Sequence, residues 1–294
     1  MAVIGIVGAG LMGMACARRL IGGGFGVVAF DVDPVKRAAA EKLGTRSAAS
    51  VAELAAHSDT LVLAVFNTDQ VEQVIEGQGG LIEAGDPSAS PPVICVSTCD
   101  PDRLAALAAR AGPRGARILE VPISGTSRQV ADGAGVGLVG GDRALMERLA
   151  PVLDAICKRR YYLGEVGNAS RAKLAVNLIL GLNRAAMAEG LVFAERLGLD
   201  REALLEVARG SAAYSQAMDV KGRLMARREF SDPQSRVDQS LKDFRLMLDQ
   251  ARKKGQALPF AEVYARMLED CIEHGEGEWD NAAIAEAIYR RRGN

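Results

Sequence analysis

Lys173 and Asn177 stand one helical turn apart in an otherwise apolar stretch, Asn168 to Gly198, that has no proline and is rich in Ala, Leu and Met. That composition favours helix, and the four-residue spacing puts the ammonium and the amide on one face. An amine on an apolar helix face, with an amide beside it, is a candidate for proton transfer. A lysine near its ordinary pKa of about 10.4 is a poor base at neutral pH, so this chemistry needs burial or a neighbouring positive charge. Taken alone, a helical lysine more often lays its stem on apolar surface and reaches solvent.

A second candidate lies upstream. Gly8-Ala9-Gly10-Leu11-Met12-Gly13 follows the apolar run Ala2 to Val7 and opens a helix of small residues reaching Leu20. A strand before, a helix after and an acid, Asp31, closing the next strand about 20 residues on form the setting in which this glycine spacing binds a dinucleotide. Gly8 permits the tight turn, Gly10 admits a pyrophosphate to the backbone, and Gly13 lets the helix pack on the sheet. The helix N-terminus adds free N–H groups and a positive dipole for the phosphates. Asp31 can accept from both hydroxyls of an adenosine ribose and repels a 2′-phosphate, which selects NAD. Lys36 and Arg37 follow closely and keep NADP open.

Alternating strands and helices must position these residues. After the strand Val27 to Phe30, the sequence predicts a helix over Val51 to Ala56 and a strand over Thr60 to Val65, ending at Phe66-Asn67-Thr68. A helix begins at Val71, and a loop rich in Gly, Pro and Ser covers Gly77 to Pro92. The strand Pro92 to Val96 ends at Ser97-Thr98, with Cys95 and Cys99 packed in or near the sheet. A helix over 101–111 precedes the strand Arg117 to Val121, which ends in Pro122-Ile123-Ser124-Gly125-Thr126. Val136 to Val139 is expected to complete the sheet, Leu145 to Cys157 to be one helix, and Lys158 to Leu163 a last strand. In open α/β sheets ligands bind beyond the carboxyl ends of the strands. Phe66, Asn67, Ser97, Thr98 and Ser124 to Thr126 thus fall on the same edge as the glycine turn.

This α/β region, a Rossmann-type doubly wound parallel sheet, is expected over 1–165, and an all-α domain over 166–294. The long helix joins them, capped by Asn168 or Ser170, stopped by Gly198 and spanning roughly 40 Å. Further helices are expected over about 201–209, 214–227, 237–254, 258–273 and 281–291, with Trp279 and Asp280 anchoring the last.

The composition, 49% hydrophobic and 25% charged with a formal charge of -1, predicts no bulk attraction to nucleic acid or membrane. Five scattered cysteines have no metal-ligand or redox spacing and fit reduced thiols in the cytoplasm. The chain opens directly on a strand, so no signal peptide is expected, and no apolar run is expected to reach membrane-spanning length. His57 and His274 read as exposed bystanders. No cluster supports a metal, and no nucleophile elbow supports hydrolysis.

Gly8 to Gly13 with Met12, the Ser124-Gly125 turn, Gly164-x-x-Gly167 leading into Lys173-x-x-x-Asn177, and Lys242-Asp243 resemble, in order, the four signatures of the β-hydroxyacid dehydrogenase family. The resemblance spans nearly the whole chain. It implies that Lys173 is the general acid/base and Asn177 orients substrate beside it. It also implies that Ser124 and Gly125 hold the substrate carboxylate, with Thr126 at the pocket wall. Lys242 then lies near the nicotinamide and the substrate with Asp243 as its structural neighbour, and Ser97 and Thr98 lie beside the nicotinamide ribose.

The implied substrate is a small hydroxyacid or its semialdehyde, and the implied assembly a homodimer or homotetramer built on the helical domain. Where the family commonly has Ser-Gly-Gly, this chain has Ser-Gly-Thr; Thr126 hints at a bulkier or more polar substrate. Without the resemblance, Lys242-Asp243 reads as a solvated pair, and Arg128 as readily a surface residue as an anion clamp. An imine reductase, whose relatives usually replace the lysine, and a non-catalytic dinucleotide-binding module are the alternatives. A decarboxylating reaction of the 6-phosphogluconate type requires a larger helical domain.

Overall fold

The computed structural model describes residues 1–83 and 90–291. Part of the loop expected over Gly77 to Pro92, residues 84–89, lies outside the described residues, as do 292–294. The chain divides into two compact units, Met1–Lys173 and Leu174–Asn294.

In the first unit six strands form one sheet: β1 (Val3–Val7), β2 (Gly26–Phe30), β3 (Arg46–Ser47), β4 (Thr60–Leu63), β5 (Val93–Cys95) and β6 (Ile118–Glu120). Their order is β3-β2-β1-β4-β5-β6 and every pairing is parallel. Between them run α1 (Leu11–Gly22), α2 (Pro34–Leu43), α3 (Val51–Ala56), α4 (Thr68–Glu76) and α5 (Pro101–Ala111). Val7 lies level with both Phe30 and Leu63, so β1, β2 and β4 end together where the winding reverses, the switch point of a doubly wound sheet. Ile4, Ile6 and Val62 face one apolar cluster; Val7, Leu61 and Leu63 face another. Burial on both faces explains why these strands read as continuous apolar runs.

Val136 to Val139 does not complete this sheet. It is the centre of a second, three-stranded sheet of β7 (Ile123–Ser124), β8 (Val136–Val139) and β9 (Arg159–Tyr162), paired antiparallel to β7 and parallel to β9. Pro122 is the reason: it has no N–H to donate, so pairing of the kind made by β6 stops there and the chain re-pairs beyond it. One bridge, Glu120 with Gly140, links the two sheets. Helix α6 (Ser127–Ala131) follows β7. The single helix expected over Leu145 to Cys157 is two, α7 (Arg143–Arg148) and α8 (Ala150–Ile156). Pro151 sits in the first turn of α8 and cannot continue the hydrogen bonding of α7.

Helix α9 (Asn168–Arg196) starts in the first unit and continues in the second, followed by α10 (Arg201–Arg209), α11 (Gln216–Arg227), α12 (Val237–Lys253), α13 (Pro259–Glu273) and α14 (Ile284–Arg290). No strand occurs among the described residues of the second unit. Its core includes Leu191, Leu205, Met225, Phe244, Tyr264 and Leu268. Gly181 makes room for it: a Cβ there would lie 2.5 Å from the Phe244 ring, which packs 4.6 Å from Tyr264. The α/β sheet followed by an all-helical region stands as the sequence predicts.

Of the apolar runs, expected to fall short of membrane-spanning length, one does not. By length and composition α9 is apolar enough to cross a membrane. Leu174, Met187, Ala188, Leu191 and Val192 on this helix nevertheless pack into the helical core.

Candidate functional site

The three glycines of the first turn answer to different demands. Gly8 has φ +95°, and a Cβ there would meet the Ala64 carbonyl at 2.5 Å. At Gly13 a Cβ would fall 1.8 Å from the Gly8 carbonyl oxygen. The fold itself therefore requires both. At Gly10 a Cβ would meet nothing within 4 Å, so no protein atom accounts for a glycine there. Space kept open above a backbone, with Leu11 and Met12 opening a helix whose N-terminus has no side-chain cap, fits a phosphate. By contrast α2, α4, α5 and α7 are each capped by Asp or Asn.

Asp31 is buried at the end of β2 and welds the two strand ends together. Its Oδ2 accepts the Ala9 N–H at 2.8 Å and its Oδ1 the Asp33 N–H at 2.9 Å. Arg37 folds back on the same turn, with Nη1 donating 2.6 Å to the Asp31 carbonyl. The next strand end carries Phe66, partly exposed, whose N–H goes to Gln70 Oε1, and Asn67, whose Oδ1 caps α4 through the Gln70 N–H. Ser97 is buried between neighbouring strand ends: its hydroxyl accepts from Val65 N–H at 3.0 Å and donates to the Val65 carbonyl at 2.9 Å. Thr98 follows, half-buried. The side chains of Asn67 and Ser97 thus secure the loop ends.

The segment from Glu120 to Thr126 meets the start of α9. Lys173 is buried, and its Nζ donates to the Ile123 carbonyl at 2.7 Å, next to Ser124. Gly125 has φ +141°, a conformation that side chains rarely adopt. Thr126, expected at a pocket wall, is the N-cap of α6: its hydroxyl accepts the Gln129 N–H at 3.2 Å, and Gln129 Oε1 accepts the Thr126 N–H at 2.9 Å. This capping box gives threonine a structural reason where a second glycine is not needed, since Thr126 is in ordinary extended conformation.

Neither Asn168 nor Ser170 caps α9 with its side chain in the way expected. The Asn168 side chain donates to the Leu163 carbonyl and accepts from Arg171. The orphan N–H groups go instead to Glu120, a carboxylate with no exposed surface at the end of β6. It accepts Gly167 N–H at 2.7 Å, Ala169 N–H at 3.2 Å and Ser170 N–H at 2.6 Å. Burial raises its pKa above the ordinary value, and these hydrogen bonds oppose the rise. Its one sequence signal is an acid closing the apolar run Ile118-Leu119.

In the second unit Asp243 gathers two of the expected residues. Asn177 Nδ2 donates to its Oδ2 at 2.9 Å, and Lys242 Nζ lies 3.0 Å from its Oδ1. Lys242 and Asp243 are therefore not a solvated pair; both side chains are largely buried. His57 and His274 are exposed, and all five cysteines are buried and free.

Residues 3–164, more than half the chain, match the family profile described as the NAD binding domain of 6-phosphogluconate dehydrogenase. Residues 167–288 match the profile described as NAD-binding of NADP-dependent 3-hydroxyisobutyrate dehydrogenase. The chain belongs to the β-hydroxyacid dehydrogenase family.

Similar proteins include glyoxylate/succinic semialdehyde reductase 2, chloroplastic, of Arabidopsis thaliana, 31% identical over 97% of this chain and 79% of its own length. L-threonate dehydrogenase of Cupriavidus necator is 31% identical over 96% of this chain and 94% of its own. The crystal structure of 3-hydroxyisobutyrate dehydrogenase from Salmonella typhimurium has a TM-score of 0.87 at 29% identity, covering 97% of this chain and 99% of that one. This β-hydroxyacid dehydrogenase is an NAD(P)-dependent oxidoreductase acting on CH–OH donors. The imine-reductase and binding-only alternatives are not favoured.

Proposed function

We propose that this dehydrogenase moves a hydride between NAD and a small hydroxyacid or its semialdehyde, with Lys173 as the general acid/base. The observation that carries the reading is a buried amine, Lys173 Nζ, held against the Ile123 carbonyl immediately before the Ser124-Gly125 turn. The nicotinamide, when bound, accepts or supplies the hydride. In the oxidising direction the substrate hydroxyl gives its proton to neutral Lys173 Nζ as the carbonyl forms; in the reducing direction the ammonium returns it. Ser124 and Gly125 hold the substrate anion. Asn177 orients the substrate, with Asp243 taking its amide N–H so that its carbonyl oxygen is presented. Lys242 contributes a cation to substrate and cofactor.

Gly8, Ala9, Gly10, Leu11, Met12 and Gly13 receive the pyrophosphate, and Asp31 meets the adenosine ribose. A fixed carboxylate there favours NAD over NADP, because a 2′-phosphate would face it. Phe66, Asn67, Ser97 and Thr98 complete the cofactor cleft. The protein works in the cytoplasm, to which its free thiols are suited, with no nucleic-acid or membrane partner. We assign it a homodimer or homotetramer, supported by exposed apolar side chains along α9 and just past its end: Ile179 and Phe193 on the helix and Leu197 directly after it are each more than 60% exposed.

The test is reduction of NAD and NADP by the purified protein across 3-hydroxyisobutyrate, glycerate, 4-hydroxybutyrate, threonate and sulfonated analogues, with the aldehydes run in reverse. Turnover of one member, lost in Lys173→Ala while NADH still binds, is the expected result. Equal activity in Lys173→Ala overturns the lysine's role, and better kcat/KM with NADP overturns that of Asp31. Light scattering of the purified protein tests assembly, a monomer being the contrary outcome.

A further inference from the structure

The segment Glu120 to Ile123 grips the beginning of α9 at two points. At one end the Glu120 carboxylate holds three backbone donors, from Gly167, Ala169 and Ser170, all within 3.2 Å. At the other the Ile123 carbonyl accepts from Lys173 Nζ at 2.7 Å. Ser170 and Lys173 are three residues apart and so neighbours on one helix face. The grip is built in, not incidental. Glu120 is locked by a two-way backbone bridge to Gly140, with N–H···O distances of 2.8 and 2.9 Å. Gly140 must be glycine for the carboxylate to pass: a Cβ there would lie 2.6 Å from Glu120 Oε2 and 2.9 Å from the Glu165 carbonyl.

Burying a carboxylate is costly, and the same helix end could be capped by a neutral Ser or Asn side chain. A neutral cap satisfies one donor; Glu120 satisfies three and fixes the helix in rotation as well as in height. We propose that Glu120 is a positioning residue for the reaction, acting through the first turn of α9 to set where Lys173 Nζ stands relative to the Ser124-Gly125 turn. This rests on the reading of Lys173 as the acid/base. A base displaced by a fraction of an ångström from its proton loses rate while the substrate and cofactor sites survive.

The experiment compares Glu120→Gln, Glu120→Asp and Gly140→Ala with Lys173→Ala in the full chain, reading kcat, KM, NADH affinity by fluorescence and thermal unfolding. Gln keeps the shape but turns an NH2 toward a row of N–H donors; Gly140→Ala pushes the native carboxylate aside. Both should lower kcat by about 10- to 100-fold with KM and NADH affinity little changed. Glu120→Asp, which keeps the charge, should recover part of the loss. A folded Glu120→Gln with unchanged kcat, beside an inactive Lys173→Ala, overturns the proposal and leaves the lysine's role standing. Losses confined to the unfolding temperature overturn it as well, since a purely structural residue gives that pattern. If Glu120→Gln does not fold, Gly140→Ala and Glu120→Asp decide by the same two criteria. An active Lys173→Ala removes the reading beneath it.

Discussion

Among the described residues each unit buries one carboxylate completely, and each does so differently. In the helical unit Asp280, with no exposed surface, lies 2.6 Å from the ammonium of Lys221 and also accepts N–H from Gln234 and Ala282. In the sheet unit Glu120 is met by the backbone N–H groups at the start of α9. A side-chain cation answers the first charge and a helix terminus the second. An ion pair fixes two side chains, whereas a carboxylate on a helix end fixes a backbone. The sheet unit uses the second device where the proposed acid/base must be placed, and the helical unit uses the first where a loop must be tied to its core.

The comparison can be broken first at the ion pair. Lys221→Met leaves Asp280 buried without its cation and should cost about 3–5 kcal/mol. The single tryptophan, Trp279, adjoins Asp280 and stacks on Phe230, so its fluorescence follows unfolding of this unit alone. An unchanged denaturant midpoint by that probe would show that the backbone donors suffice and that the two carboxylates are alike.

A smaller effect belongs to α6. Thr126→Ala removes one half of the capping box and should cost about 1 kcal/mol. If Thr126 also touches substrate, KM changes as well; a stability loss with unchanged kinetics would assign Thr126 to the fold alone.

The smallest effect is a pH slope. Burial raises the folded pKa of Glu120 above its ordinary value of 4.5. The folded state therefore binds this proton more readily than the unfolded chain. Its contribution to stability is fully present below the ordinary value and is lost as pH rises through the raised one. The stability of the wild type relative to Glu120→Gln should accordingly be greatest in acid and shrink toward neutrality. A difference that grows with pH would mean that the three hydrogen bonds outweigh burial.

Much of the fold was legible because its causes are local. The run-turn-run of β1, Gly8 to Gly13 and α1 appears directly in residue types, since both-face burial demands apolar strands and the turn demands glycine. Helix α5 and strand β8 fall on the expected residues for the same reason. Pairing was not legible: Val136 to Val139 is a strand as expected, but its partners depend on how Pro122 interrupts the sheet. The break at Pro151 is masked in the sequence, because Leu145 to Cys157 keeps its apolar pattern across it.

The candidate site divides along the same line. Gly8, Gly10, Gly13, Lys173 and Asn177 announce themselves by type and spacing, since backbone reach and helical periodicity act over a few residues. The sequence by itself thus determined the elements, the dinucleotide turn and the alignment of Lys173 with Asn177. Only the tertiary structure decided that Asp31 ties strand ends, that Ser97 and Thr126 spend their hydroxyls on the backbone, and that Glu120 holds the head of α9. Glu120 and Ser170 are separated by 50 positions in the chain. No local rule connects residues so far apart; only burial of the charge beside unpaired helix donors does.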